Sequence, residues 1–355
     1  MTGGKDGNVV ITNTSDMTVE KTINFGCLVR AVDHKDGKAL VGLRNGTIYE
    51  LDIGSESKKD IMQSHNEGEV WGVCSIDDST IATSADDNQV KVWDISKRSC
   101  TSTGKVSDKS NKSKKGGAST LSDLPASQCS RALAYNQPTG DIAVAHNDGT
   151  VTIRSASSID TVKKEITDSE EWIEIMEYSP DGTKLAVGSH DNNIYIYDAN
   201  SYDKLGVLQA HKSFITCVDW SKDSTYIRSV CGAYELLFFK IEGYEQDPSG
   251  ATNCKDMEWQ TGHAKFGWLV EGIFPSGEDG SHINYVDFSK DGNLIACGDD
   301  YGLVQIFRNP CRFGHKPVSL RGHSEHVVKV MFHANDTYLI SIGGYDQTVM
   351  QWKKC

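Results

Sequence analysis

Adjacent acids and closely spaced histidines are the residues of this chain with the clearest chemical potential. Asp86-Asp87 and Asp299-Asp300 each set two carboxylates side by side, a grouping able to share a proton or hold a hard cation. Both pairs fall between a small-residue stretch and an alternating stretch, where Asp accepts backbone N–H bonds in a turn, so a structural role is expected for them. His323 and His326 could open a metal site, but zinc needs three or four convergent ligands, and no Cys or second His pair is positioned by sequence to supply them. Phosphate-binding GxxxxGK[ST], nucleophile-elbow GxSxG and zinc-binding HExxH runs are all missing from the sequence, so the motifs with specific mechanics give no catalytic residue, cofactor or metal. Asn13-Thr14-Ser15, Asn45-Gly46-Thr47 and Asn335-Asp336-Thr337 match the glycosylation pattern and read as turns.

Bulk composition narrows the class. A formal charge of −13 over 355 residues argues against general phosphate-backbone binding, which needs clustered Lys and Arg. No apolar run is long enough to span a bilayer and residues 1–20 are polar, so neither membrane insertion nor secretion is expected and a cytoplasmic location is. The ten cysteines are scattered without a CxxC pair, as small core residues kept reduced would be. Gly at 33 residues against Pro at 7 suits many short strands joined by tight turns.

The elements that must position any site emerge from internal repetition. Alternating third strands recur at Gly46 to Asp52, Asn88 to Asp94, Gly149 to Arg154, Asn192 to Asp198, Tyr234 to Lys240, Gly302 to Phe307 and Asp346 to Trp352. First strands open 41 residues apart from Val29 to Val70, 42 from Ile173 to Ile215 and 44 from Ile283 to Val327. Val90, Val92 and Ile194, Ile196 alternate with the strand period of two. Period and pattern resemble WD40 repeats, which predicts an all-β, WD40-type β-propeller with seven blades.

Trp93-Asp94 is the one literal Trp-Asp pair; Tyr197-Asp198, Leu51-Asp52, Phe307-Arg308 and Trp352-Lys353 are weakened copies. The WD40 resemblance implies buried structural networks of His65, Thr83, Asp87 and Trp93 in one repeat and of His323, Asp346 and Trp352 in the last, with Ser341 one residue out of register. Repeats carrying Arg154, Phe239 or Ala233 at such positions are expected to rely on apolar packing. The last repeat supplies three strands, so Met17 to Asn24 is expected to add its outer strand. Residues 1–12 then read as a strand left over from a preceding propeller or as an N-terminal extension, residues 13–355 as one seven-bladed propeller, and about 104–123 as a disordered basic insertion with Lys105, Lys109, Lys112 and Lys114.

Several stretches together are similar to one family, the echinoderm microtubule-associated protein-like proteins, in their second propeller. The likeness is carried by Gly3-Gly4-Lys5-Asp6, by Leu185 to Asn192 with Ile194-Tyr195, by Cys254-Lys255-Asp256 with Trp259, by Phe266-Gly267 and Gly272 to Pro275, by Ile283-Asn284, and by Leu339 through Trp352. It implies a non-enzymatic, cytoskeleton-associated scaffold that binds tubulin or a microtubule-linked assembly, monomeric in isolation. Two other readings are a generic WD40 adaptor such as a ubiquitin-ligase substrate receptor, and a propeller enzyme with ligands converging in its channel. Against the first, Trp93-Asp94 continues as Ile95-Ser96 rather than reaching an Arg; against the second, the sequence offers no convergent polar set.

Propellers bind partners on the rim of one face. The residue before each first strand gives Leu28, Glu69, Trp172, Phe214, His282 and His326, and the turns after the second strands add Tyr234, Tyr301 and Tyr345. Large rigid aromatics in such a ring suit an interface hot spot.

Overall fold

A computed structural model describes residues 1–109, 124–274 and 282–353. Eight antiparallel sheets of three or four strands are built among the described residues, and each of the seven expected third strands is present in one of them. The chain divides into two compact units, Met1–Glu67 and Gly68–Cys355.

Met1–Glu67 holds two sheets. Thr2–Gly3, Asn8–Thr12 and Val19–Asn24 form one; Val29–Lys35, Lys38–Leu43, Ile48–Asp52 and Lys58–Met62 form the other. Val9, Ile23, Val29, Val41 and Leu51 pack between them. Here the expected closure fails: Val19–Asn24 pairs with Asn8–Thr12, not with the last repeat. The reason is local. Met17 takes a left-handed conformation (φ 61°), its N–H donates to Asn13 O at 2.9 Å, and Asn13 N–H donates to Thr18 O at 2.8 Å. A hairpin closing so few residues costs far less chain entropy than a strand carried across the sequence.

Gly68–Cys355 holds six sheets, here called blades in chain order. Their innermost strands are Val70–Asp77, Leu133–Asn136, Ile173–Tyr178, Ile215–Trp220, Ile283–Phe288 and Val327–Phe332. Each blade runs outward through consecutive antiparallel strands, and the sixth has three, ending at Val349–Lys353. The sixth packs back on the first through Val70, Ala85, Val328 and Ile342, and again through Ile81, Ile95 and Ile340. Six of the eight sheets thus lie in this unit, and the Val29–Met62 sheet lies in the other.

The fourth and fifth blades are joined by an inserted segment. Gln260 N–H donates to Trp220 O at 2.8 Å and Phe288 N–H to Thr261 O at 3.1 Å, while Thr261 Oγ1 donates to Asp219 Oδ1 at 2.8 Å. Gln260 and Thr261, just after the Cys254-Lys255-Asp256 and Trp259 stretch that carries part of the resemblance, therefore bridge two blades.

Second-to-third-strand turns need a left-handed residue, and the sequence supplies one in each: Gly46, Asn88, Gly149, Asn192, Tyr234, Gly302 and Gln347. Gly and Asn accept that conformation cheaply, whereas Tyr234 (φ 61°) and Gln347 (φ 55°) are strained there. Strand alternation buries Val90, Val92, Ile194 and Ile196, as expected. None of the nine described cysteines forms a disulfide. Of the basic insertion, residues 104–109 are described, with Gly104 and Lys105 ending a strand and Lys109 paired to Glu165; residues 110–123 lie outside the described residues.

Candidate protein-binding rim

One backbone contact recurs and explains why the expected rim residues gather. Antiparallel pairing sets the residue before a first strand against the turn after the second. Asp86 N–H donates to Glu69 O at 3.0 Å, His190 to Trp172 O at 2.8 Å, Gly232 to Phe214 O at 2.8 Å, Asp300 to His282 O at 2.9 Å and Gly344 to His326 O at 3.0 Å. Leu28 makes the same contact with Arg44, but within Met1–Glu67.

Side chains then link neighbouring blades. The Arg131 guanidinium lies over the Trp71 ring at 3.8 Å and the Trp172 ring at 4.1 Å. Trp172 meets His190 at 5.4 Å, and His190 stacks on Phe214 at 4.6 Å. Glu174 Oε2 lies 3.2 Å from His190 Nε2 and 3.6 Å from Arg131. Burial opposes ionisation of Glu174 most strongly, but the His190 bond and the Arg131 and Lys329 charges outweigh it and hold the carboxyl down at about 2. Four blades are thereby tied by one aromatic and cationic stack.

On the opposite arc, His326 Nε2 lies 2.9 Å from Glu69 Oε2 and its Nδ1 lies 2.7 Å from Glu325 Oε2. The Glu69 bond is the main reason the imidazole pKa rises to about 9, against the pull of burial and with further help from Glu325. His326 is therefore an imidazolium at neutral pH. Tyr345 sits edge-on to it at 5.5 Å. His282 pairs with Tyr301 at 5.7 Å and Tyr234 with Phe266 at 5.9 Å.

Exposure separates the expected rim residues into three groups, with Leu28, Trp172 and His326 half-buried. Tyr301 (72%), Tyr234 (62%), Tyr345 (45%) and Phe214 (39%) face solvent, whereas Glu69 and His282 are buried. Glu69 serves as the acceptor for His326, and His282 lies beneath Tyr301, so neither offers a side chain to a partner.

A polar set that sequence reasoning missed lines the axis of the same unit. A cavity of about 430 Å³ is bounded by Trp71, Glu174, Thr216, Lys265, Tyr285 and Lys329, among others. Farther along, His263 Nδ1 lies 3.0 Å from Glu177 and its Nε2 3.3 Å from Asp287. Burial works hardest against its charge, but the two carboxylates prevail and raise its pKa to about 9. Lys329 Nζ donates to Arg131 O at 3.3 Å and Lys265 Nζ to Ile283 O at 3.0 Å. The expectation that no polar groups converge at the axis is thus corrected. The available signal was a charge inside an apolar innermost strand, as in Ile173-Glu174-Ile175-Met176-Glu177 and Val328-Lys329-Val330. Each charge in this set faces an opposite charge or a carbonyl, an arrangement suited to holding blades together.

In the sixth blade His323 Nδ1 lies 2.9 Å from Asp346, His323 Nε2 2.7 Å from Ser341 Oγ, and Trp352 Nε1 donates to the same hydroxyl at 2.8 Å. Ser341 is therefore in register. The turn it precedes has one residue more than the matching turn of the first blade, which changes the sequence spacing to Trp352 without changing the spatial one. In the first blade Trp93 Nε1 donates to Thr83 Oγ1 at 2.7 Å and Gln89 N–H to Asp87 at 3.0 Å; His65 is buried. Arg154 does not rely on apolar packing. It donates to Ile159 O at 2.9 Å, to Thr152 Oγ1 at 3.2 Å and to Lys105 O and Val106 O of the first blade. Phe239 is buried in an apolar cluster, as expected. Of the acid pairs, Asp299 accepts from Tyr301 and Leu303 N–H at 2.9 and 2.8 Å, and Asp86 accepts from Trp71 Nε1 at 3.0 Å.

Comparison with known proteins agrees with this architecture. Residues 70–354 match the family described as the echinoderm microtubule-associated protein second beta-propeller. The ciliary WD repeat-containing protein ctxp80 of Euplotoides octocarinatus is 58% identical over 100% of the chain and 50% of its own length. The 77 kDa echinoderm microtubule-associated protein of Lytechinus variegatus is 33% identical over 99% of the chain and 50% of its length. Echinoderm microtubule-associated protein-like 4 of Mus musculus is 31% identical over 99% of the chain and 34% of its length. The chain spans about half, or less, of these relatives.

Proposed function

Because the chain belongs to the echinoderm microtubule-associated protein family, we propose that Gly68–Cys355 is a non-catalytic platform whose aromatic rim docks a protein of the microtubule system, tubulin foremost, in the cytoplasm. The observation that carries this reading is the rim's division of labour. A packed layer of Trp71, Arg131, Trp172 and His190 braces the blade ends, and Phe214, Tyr234, Tyr301 and Tyr345 stay exposed. Rigid exposed aromatics on a braced support bury large area at small entropic cost. The chain acts as a monomer in this reading, without nucleic acid or membrane; no helix among the described residues is long and apolar enough to cross a bilayer.

The test is capture of soluble tubulin by the purified chain and by a Phe214→Ala, Tyr234→Ala, Tyr301→Ala variant. These positions are preferred over Trp172 and His326 because their side chains are exposed rather than half-buried. An anchor residue is worth on the order of 2 kcal/mol, so the triple change should weaken capture by about thirtyfold or more. Equal capture by both proteins would remove the rim assignment, and absent capture by the unaltered chain would remove tubulin as the partner.

A further inference from the structure

The fourth blade carries the same hydrogen-bonding positions as the sixth but fills them differently. Ser229 matches Ser341, Phe239 matches Trp352, Cys231 matches Gly343 and Glu235 matches Thr348, by strand register. Ala233, which precedes the left-handed Tyr234, stands where Asp346 precedes the left-handed Gln347. Losing the Asp removes the carboxylate that His323 enjoys. In consequence His211 Nδ1 has no hydrogen-bond partner although its side chain is fully buried. Such an atom costs roughly 1–3 kcal/mol unless something fills the position.

Two further substitutions bring metal-ligating atoms to that position. Cys231 places a thiol where the sixth blade has glycine, and Glu235 places a carboxylate where it has threonine. Glu235 Oε2 lies 3.8 Å from His211 Nδ1 and 3.5 Å from Cys231 Sγ, and all three ligand atoms lie within 4.8 Å of one another. Zinc bonds of about 2.0–2.1 Å to nitrogen and oxygen and about 2.3 Å to sulfur imply tetrahedral edges of roughly 3.3–3.7 Å. The observed separations need only small side-chain adjustments to reach them.

The remaining nitrogen is held in the tautomer a ligand needs. His211 Nε2 lies 2.7 Å from Ser229 Oγ. With Phe239 in place of Trp352, no indole N–H occupies that hydroxyl, so it can accept from Nε2–H and leave a lone pair on Nδ1. Burial lowers the His211 pKa and favours the neutral ring.

We propose that His211, Cys231 and Glu235 bind a zinc-type divalent cation, with a fourth position open on the solvent side, where Glu235 is about a quarter exposed. Binding removes the thiol proton to solvent and forms the metal–thiolate bond, so affinity falls at acid pH. The site ties the turn that carries Tyr234 to the chain at His211, since Tyr234 N–H donates to Cys231 O at 2.9 Å. It would thus stiffen one side of the rim.

The experiment is titration of the full chain, chelator-stripped and reduced, with Co2+ as the spectroscopic probe, followed by displacement with Zn2+. The expected result is one equivalent of Co2+ with a thiolate-to-cobalt charge-transfer band. Cys231→Ser should abolish the band, and Glu235→Gln should weaken Zn2+ binding by more than the ten- to hundredfold typical of lost outer-shell partners. Cys100→Ser, at a partly exposed thiol elsewhere, should leave both unchanged. Should His211→Ala fail to fold, Cys231→Ser still decides. No thiolate band in the unaltered chain, or a band that survives Cys231→Ser, overturns the proposal.

Discussion

The sixth and fourth blades answer the same structural problem in opposite ways. In the sixth, Trp352, Ser341, His323 and Asp346 form one continuous chain of hydrogen bonds in which each of these four side chains finds a partner. In the fourth, Phe239 fills the tryptophan's place with apolar volume, and the histidine keeps one bond of the two. A fully satisfied buried network fixes a blade, whereas a half-dismantled one leaves a polar atom that must be used or tolerated at a cost. The difference teaches that divergence of a repeat does not merely weaken it. It can release residues for another task, as in the second blade, where Arg154 clamps the outer strand of its neighbour.

That clamp gives the largest expected effect. Arg154 is buried and bonds four acceptors in two blades. Arg154→Met keeps the volume but strips several carbonyls of a donor, so a loss of about 3 kcal/mol is expected, read as a fall in the urea midpoint. If the network-poor blades were held by apolar packing alone, this substitution would be nearly neutral.

The next effect depends on pH. His326 is raised to about 9 in the folded protein, against about 6.5 unfolded. A raised pKa stabilises fully below the unfolded value and ceases to do so as pH climbs through the folded one. Thermal stability should therefore fall between about pH 6.5 and 9.5, by up to about 2 kcal/mol after discounting for partial exposure. His263 is also raised to about 9, so His326→Gln should flatten only part of the slope. A flat profile in the unaltered chain would contradict both assignments.

The most direct comparison of the two blades is smaller still. Ser341→Ala leaves both Trp352 Nε1 and His323 Nε2 without their acceptor or donor, and should cost about 2 kcal/mol. Ser229→Ala disturbs His211 alone and should cost about 1 kcal/mol. Equal losses by differential scanning calorimetry would mean that the added Trp352–Ser341 bond contributes nothing to the sixth blade.

How far the sequence discloses these features depends on distance along the chain. Third strands are legible because their alternation and turn residues lie within a few positions; all seven are formed. Ser341 is misread because one added turn residue shifts a count but not a contact. The closure by Val19–Asn24 is misread because a local hairpin competes with a remote edge, and nothing in the strand's own residues says which will win. The rim positions follow from strand ends, yet the burial of Glu69 and His282 depends on neighbours brought by other blades. The axial charges are missed for the same reason, since ring geometry assembles them; the His211 cluster is missed because strand pairing within one blade, not spacing, brings His211 to Cys231 and Glu235.

The central claim is that the braced aromatic rim, not the outer strands, meets the partner. Hydrogen–deuterium exchange of the chain, free and saturated with tubulin, tests it most directly. Amide exchange reports local opening, and a docked partner slows it where it covers the backbone. The account predicts new protection in the turns around Phe214, Tyr234, Tyr301 and Tyr345, with the outer strands Ser158–Ile166 and Lys204–Gln209 unchanged. Protection confined to those outer strands, with the rim turns exchanging as in the free protein, would contradict it.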